Sequence, residues 1–208
     1  MLSDLASKGL RTVDYDSGRS IRLDSAVRQA LMNGIRNTNQ ATQDYVGKKI
    51  GSDGIELSAH LNCAPDHEDY QGKQYSNAEF GILQNTLDRP IGMWNCRHLA
   101  KPIILSVSVA VYSSKELADM KQKNADGVEY NDKQYSLYEI AQKRNQIEND
   151  IKIQNDIVDF GKTMRDDEMV TIARIKLTKL HKAYREVNEV AEFTKRPEQL
   201  LRGKKELD

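Results

Sequence analysis

Two long stretches near the end of the chain constrain its fold most. Leu137, Ile140, Arg144, Ile147, Ile151, Gln154 and Val158 step by three and four, and so do Val170, Ala173, Leu177, Leu180, Tyr184, Val187 and Ala191. Such spacing gathers each set on one face of an α-helix. Ser136 is placed to cap the first helix and Gly161 to end it, while the acids in TMRDDE suit the positive end of a second helix dipole. Two heptad-like helices joined by so short a link predict an antiparallel helical hairpin. Arg144 and Gln154 fall on the seam, where polar residues set register or face a partner. Lys143, Arg144, Lys152, Arg174, Lys176, Lys179, Lys182 and Arg185 read as a solvated face balanced by acids, and His181 as an outward-facing residue. Pro197 ends the pattern, and RGKKELD reads as a flexible charged tail.

The preceding residues mix short strands with helices. Leu2, Leu5 and Ala6 suggest a short entry helix ending at Gly9. Thr12 to Tyr15 and Ser20 to Leu23 form a predicted hairpin around Asp16-Ser17-Gly18. Asp24 then caps a long helix carrying Val27, Ala30, Leu31, Ile35, Ala41 and Tyr45, which stops near Gly47 or Gly51. GIELSAH alternates Ile55, Leu57 and Ala59 against Glu56, Ser58 and His60, the pattern of a half-buried strand with His60 at its polar exit. From Leu61 to Asn95 periodicity is weak, so loops are expected, with one helical turn after Ser76 and Trp94 anchoring the loop core. Ile103 to Val111 suits a buried strand, and Ser113-Ser114 with Glu116 starts a helix running to about Asn124. VEYNDKQYS predicts a second hairpin turning at Asn131-Asp132. KQYS occurs at Lys73–Ser76 and Lys133–Ser136, which reads as a local recipe: a β-prone Tyr, then a Ser that caps the next helix. The expected class is α+β: a small mixed or antiparallel sheet core with a long helix, plus the hairpin. The expected divisions are 1–127, 128–196 and a tail at 197–208.

Composition narrows what such a chain can do. Thirty-one basic and thirty-one acidic residues balance, so bulk charge supplies no attraction to packaged DNA or an anionic membrane. No apolar run is long enough to span a bilayer, and MLSDLASKGL lacks the pattern of a signal peptide. Without a secretion signal, Cys63 and Cys96 are expected to be reduced thiols.

Chemistry concentrates in two clusters, His60-x-x-Cys63-x-x-x-His67-Glu68 and Asn95-Cys96-Arg97-His98. Three readings are open. Cys63, His67, Cys96 and His98 supply enough nitrogen and sulfur ligands for a tetrahedral zinc, though not at the spacing of a zinc finger. His60, His67 and His98 could serve as general acid and base, with Arg97 or Lys73 holding a phosphate, and a thiol nucleophile is also conceivable. The third reading is a polar network that locks a glycine-containing loop against the sheet. It is preferred, because no motif here fixes a reaction class.

The order of these pieces carries a resemblance. Ser58-Ala59-His60, then Pro65 and His67, Tyr70-Gln71-Gly72-Lys73, Tyr75-Ser76 and finally Asn95-Cys96-Arg97-His98 resemble the phage minor capsid protein 2 family. VDYDSGRSIRLDSAVRQALMNGIRNT and YNDKQYSLYEIAQKRNQIE extend the similarity from about Gly9 to Val190. The resemblance implies a low-copy structural and morphogenesis protein of the virion head, distantly similar to Mu-like head-morphogenesis proteins. Its implied partners are the portal, the major capsid protein, or another copy through the helical hairpin. It also leaves Gln71 and Lys73 as binding candidates. The alternative function is a phage-borne enzyme or toxin-like domain, a nuclease or nucleotide-modifying unit using His60, His67, Arg97 and His98. Three departures stand out. Members are usually longer, with an N-terminal half expected at the portal, so that half is expected on a separate protein or is missing. Cys63 stands where members often carry Gly or Ala. The stretch from Ser76 to Trp94 is short of the family's glycine-rich insert.

Overall fold

The computed structural model describes residues 12–16, 18, 20–93 and 96–193. The expected entry helix, the anchoring role of Trp94, the stop at Pro197 and the charged tail lie outside the described residues. Among those described, the order is β1 (Thr12–Asp14), β2 (Ser20–Arg22), α1 (Leu23–Ile50), β3 (Gly54–Leu57), α2 (Pro65–Glu68), β4 (Gln74–Ser76), α3 (Asn77–Thr86), β5 (Ala100–Ile103), α4 (Ser114–Asp126), β6 (Val128–Tyr130), β7 (Lys133–Tyr135), α5 (Leu137–Met164) and α6 (Asp167–Val190). The class is α+β, as expected. The chain divides into two compact units: Val13–Ala125, and the described residues from Asp126 onward with Thr12.

In the unit from Asp126 onward, β6 and β7 pair antiparallel, with Val128 opposite Tyr135 and Tyr130 opposite Lys133. Asn131 and Asp132 both take positive φ, the backbone of a type I′ turn, which these two residue types tolerate. Ser136 then starts α5 with a capping box: its hydroxyl accepts from the Glu139 amide, and the Glu139 carboxylate accepts from the Ser136 amide. Asp166 caps α6 by accepting from the Met169 amide at 2.9 Å.

The seam of the hairpin is the predicted one. Ile140, Ile147, Ile151, Tyr184 and Val187 form the core with Tyr130, and Leu177, Leu180, Tyr135 and Val128 pack around it. Val158, Val170 and Ala173 continue it toward the link. His181 is exposed, as expected. Two details differ from expectation. Gly161 does not end α5, which runs to Met164 and stops at Arg165 with φ +57°. Gly161 serves close approach instead, since a Cβ there would lie 2.9 Å from Val170 Cγ2. Arg144 is not on a solvated face. It is buried, donates to Asn188 Oδ1 at 3.5 Å, and lies over the Phe193 ring at 4.1 Å.

The unit Val13–Ala125 is built on a three-stranded antiparallel sheet in the order β4-β3-β5. Ile55 stands opposite Tyr75 on one side and Pro102 on the other. Leu57, Ile91, Cys96 and Ala100 form the buried core, with Ile55, Tyr70, Tyr75, Phe80, Leu83 and Leu87 around it. Ser76 repeats the capping box, here with Glu79, so both copies of KQYS end in a Ser that caps a helix. Ser113 and Glu116 make a third such pair ahead of α4.

Four expectations fail in this unit. α1 begins at Leu23, so Asp24 sits in its first turn rather than at its cap. The weakly periodic stretch holds β4 and the ten-residue α3 rather than a single helical turn. Glu56 is buried, not on a solvated face, because the chain after β5 folds over it: the Val111 amide donates to Oε1 at 3.1 Å and Gln74 Nε2 donates to Oε2 at 2.8 Å. The apolar run from Ile103 is not a buried strand. β5 ends at Ile103, Ile104 O accepts from the amides of Val107 and Ser108 in a turn, and Val109 is 88% exposed.

The seam makes a test of the hairpin. Ile151→Ala should lower stability by about 2–5 kcal/mol, the range for truncating a fully buried aliphatic side chain. Ile175→Ala, on the exposed side of α6, should stay within about 0.5 kcal/mol. Urea unfolding of both variants reads the difference, and equal losses would refute the seam.

Candidate functional site

Three segments of the unit Val13–Ala125 bring the predicted chemistry together. The exit of β3 and the entry of β5 are joined by Ser58: its amide donates to Leu99 O at 3.0 Å, and its hydroxyl accepts from the Leu99 amide at 2.9 Å. That pairing sets His60 beside His98, with the rings stacked at 4.6 Å. Pro65 starts the single turn of α2, which carries His67 inward to meet His98 edge-on at 5.7 Å. The chain then turns at Gly72, where φ is +70° and a Cβ would lie 2.3 Å from the Leu117 side chain, so only glycine fits. Outside the rings, Arg89 grips Asp66 with two hydrogen bonds of 2.8 and 2.6 Å, and Asn124 donates to Glu68 Oε1 at 2.6 Å.

His67 and His98 are only 1% and 4% exposed, and Cys63, Cys96 and Gln71 are also buried. Both cysteines are free thiols. Arg97 and Lys73 are exposed at the surface, with the Arg97 charge helping burial to lower the pKa of His60. Of the residues named from sequence, the structure thus joins His60, Cys63, His67, Gln71, Cys96 and His98.

The partners fix most of the proton positions. A carbonyl oxygen can only accept, so His67 Nε2, 2.7 Å from Arg89 O, carries hydrogen, and Nδ1 is bare in the neutral ring. His60 Nδ1, 2.8 Å from Leu61 O, carries hydrogen for the same reason. Gln71 Oε1 accepts from the His60 amide at 3.0 Å, which identifies it as the oxygen. His98 Nε2, 3.2 Å from that oxygen, is therefore a donor and its Nδ1 is bare. Cys63 donates its thiol to Ala64 O at 3.3 Å. Burial, reinforced by Glu68, pushes that thiol up to about 12. Burial, with repulsion from His60 and His67, pushes His98 down to about 4, so its ring stays neutral at pH 7. Burial also lowers His60.

Two groups of potential metal ligands result, His60–Cys63–His98 and His67–Cys96–His98, each with its ligand atoms within 4.8 Å of one another. Cys63 faces His98 Nε2 at 3.5 Å, whereas Cys96 faces His98 Nδ1 at 3.2 Å. The two thiols thus lie at opposite nitrogens of one ring. The arrangement also depends on residues that sequence reasoning passed over. Arg89 contributes a backbone carbonyl and Asn124 a contact made 56 residues away, and neither carries a local signal.

A buried network of this kind should be costly to break. His67→Ala combined with His98→Ala should lower stability by about 2–4 kcal/mol, because Arg89 O and Gln71 Oε1 lose their donors. Thermal and urea melts of the purified double variant check this, and melts like the parent's would sink the network.

Among the described residues, no helix is long and apolar enough to cross a membrane. A search of curated proteins and a search of solved structures return no match. A family model described as phage minor capsid protein 2 matches residues 2–188, nearly the whole chain. The ordered motifs and this match agree, and the chain belongs to the phage minor capsid protein 2 family.

Proposed function

We propose that this virion structural protein is a low-copy component of the phage head that docks on the portal through α1. The observation that carries the reading is the outward apolar face of that helix. Val27, Leu31 and Ile35 repeat every fourth residue, and Leu31 and Ile35 are each 62% exposed. The helix is held mainly near its end, where Gly47 packs against Pro102 and Gln40 Nε2 donates to Ala100 O at 3.3 Å. An apolar row of this length, exposed among the described residues, is the usual mark of a surface that meets another protein. By contrast, the seams of α5 and α6 are buried against each other, so the seam residues of the hairpin are committed within the chain.

Morphogenetic activity in the head follows from such docking: a protein bound at the portal enters the particle with it. Burial of His67 and His98 supports a structural role for the histidine cluster over the enzyme reading, because a substrate would need to reach rings that solvent barely touches.

Leu31→Asp with Ile35→Asp should leave the helical circular dichroism unchanged and cut the copies per particle roughly tenfold or more, since each change removes more than about 1.4 kcal/mol of apolar burial at a contact. Quantitative mass spectrometry of purified particles measures the copies, and cross-linking identifies the neighbour. Unchanged incorporation, or cross-links to the major capsid protein alone, would refute docking on the portal.

A further inference from the structure

We propose that His67 Nδ1, Cys96 Sγ and His98 Nδ1 form a binding site for one zinc ion. The argument starts from counting hydrogens. His67 gives an N–H to Arg89 O and His98 gives an N–H to Gln71 Oε1, so in the neutral form of each ring the remaining nitrogen presents a lone pair. Both lone pairs point at the same sulfur, at 3.4 and 3.2 Å. A thiol has one hydrogen and can satisfy one of them. The other faces sulfur lone pairs inside the protein, an arrangement that costs free energy in a buried place. A cation at the centre of the three atoms removes the conflict, because all three then donate electron pairs to it.

The geometry suits zinc. With Zn–S near 2.3 Å and Zn–N near 2.0–2.1 Å, a tetrahedral site has sulfur–nitrogen edges of about 3.6 Å. The observed separations need lengthening by only a few tenths of an ångström. The supporting contacts have the form that metal-bound histidines use, the second N–H being given to a carbonyl or amide oxygen that fixes the ring. On His67 this is strengthened by the Asp66 carboxylate, 3.8 Å from Nε2. Nitrogen plus thiolate is a donor set for a borderline-soft divalent ion and a poor one for magnesium or calcium.

The second group is not equivalent. There, His98 offers Nε2, which carries the hydrogen given to Gln71, and Cys63 gives its hydrogen to Ala64 O. His60 Nε2 is left with no hydrogen-bond partner among the described residues, but one bare nitrogen does not make a site. The structure therefore assigns the metal to Cys96 and leaves Cys63 outside. Binding converts the Cys96 thiol to a thiolate bound to zinc and releases its one proton to solvent. Three protein ligands leave a fourth position for water or another donor. None of this depends on the portal reading.

The test uses the full chain. After treatment with a chelator, the protein should take up one Zn2+ per chain in competition with a chromogenic chelator. Its melting temperature should rise by about 10 °C at a hundredfold excess over Kd. Cobalt in place of zinc should give a sulfur-to-metal charge-transfer band that Cys96→Ser abolishes and Cys63→Ser retains. Should Cys96→Ser not fold, X-ray absorption of the wild-type zinc protein decides alone: one sulfur and at least two nitrogens are expected. No stoichiometric uptake, a band lost with Cys63→Ser, or two sulfurs on the zinc would each overturn the proposal.

Discussion

A buried imidazole must find partners for both of its ring nitrogens, and the unit Val13–Ala125 is organised around doing so for His67 and His98 together. Each requirement recruits a different piece of chain. Arg89 O takes the hydrogen of His67 from the loop after α3, and Gln71 takes that of His98 from the turn before β4. Ser58 joins the exit of β3 to the entry of β5 and so fixes where His98 can stand. The sheet alone is small, its strands running three or four residues. Strands so short give little independent stability, and the polar network supplies specificity that the ladder cannot. Gln71 shows the economy of the arrangement, because one amide oxygen serves both the backbone of His60 and the ring of His98.

The unit from Asp126 onward meets its constraints differently. Its order comes from a long repetitive seam, and Arg144, a charged residue at a seam position, is handled locally. Arg144 meets Asn188 and the face of Phe193, both near the end of the partner helix. Asn188 is itself held by donating to Tyr184 O at 2.6 Å. A buried guanidinium matched at one level of the seam penalises a slip of either helix by a turn, which apolar residues at equal spacing would tolerate.

What the sequence made legible follows from how local each signal is. The hairpin was readable because twenty or more residues repeat one period and because Ser136 marks where α5 begins. The recurrent KQYS was readable for the same reason: a strand-forming Tyr and a capping Ser act within a few residues of themselves. β4 was not readable, since three residues become a strand only when β3 lies beside them. The run from Ile103 to Val111 misled in the opposite sense. Its apolar alternation fits a strand, but β3 already pairs with β4 and β5, and no sequence pattern reveals that the sheet ends there. In the site, residue types were legible and atom roles were not. That Cys63 and Cys96 meet opposite nitrogens of His98 depends on ring orientation, which Gln71 decides from 27 residues away.

The same distinction explains α1. Its apolar positions repeat every three or four residues, so sequence alone predicts an amphipathic helix, and the structure contains one. Periodicity states that a face is apolar; it does not state whose surface covers it. In α5 and α6 the cover is within the chain, and burial is nearly complete along the seam. In α1 the only buried residue is Gly47. A row of exposed aliphatic side chains lowers solubility when nothing covers it, so a chain that keeps such a row while balancing its charges to zero gains nothing from it alone. Membership of a capsid family supplies the missing condition, because a virion protein does its work among neighbours. On the proposed docking the helix serves the assembly, while the histidine cluster and the hairpin seam serve the chain itself.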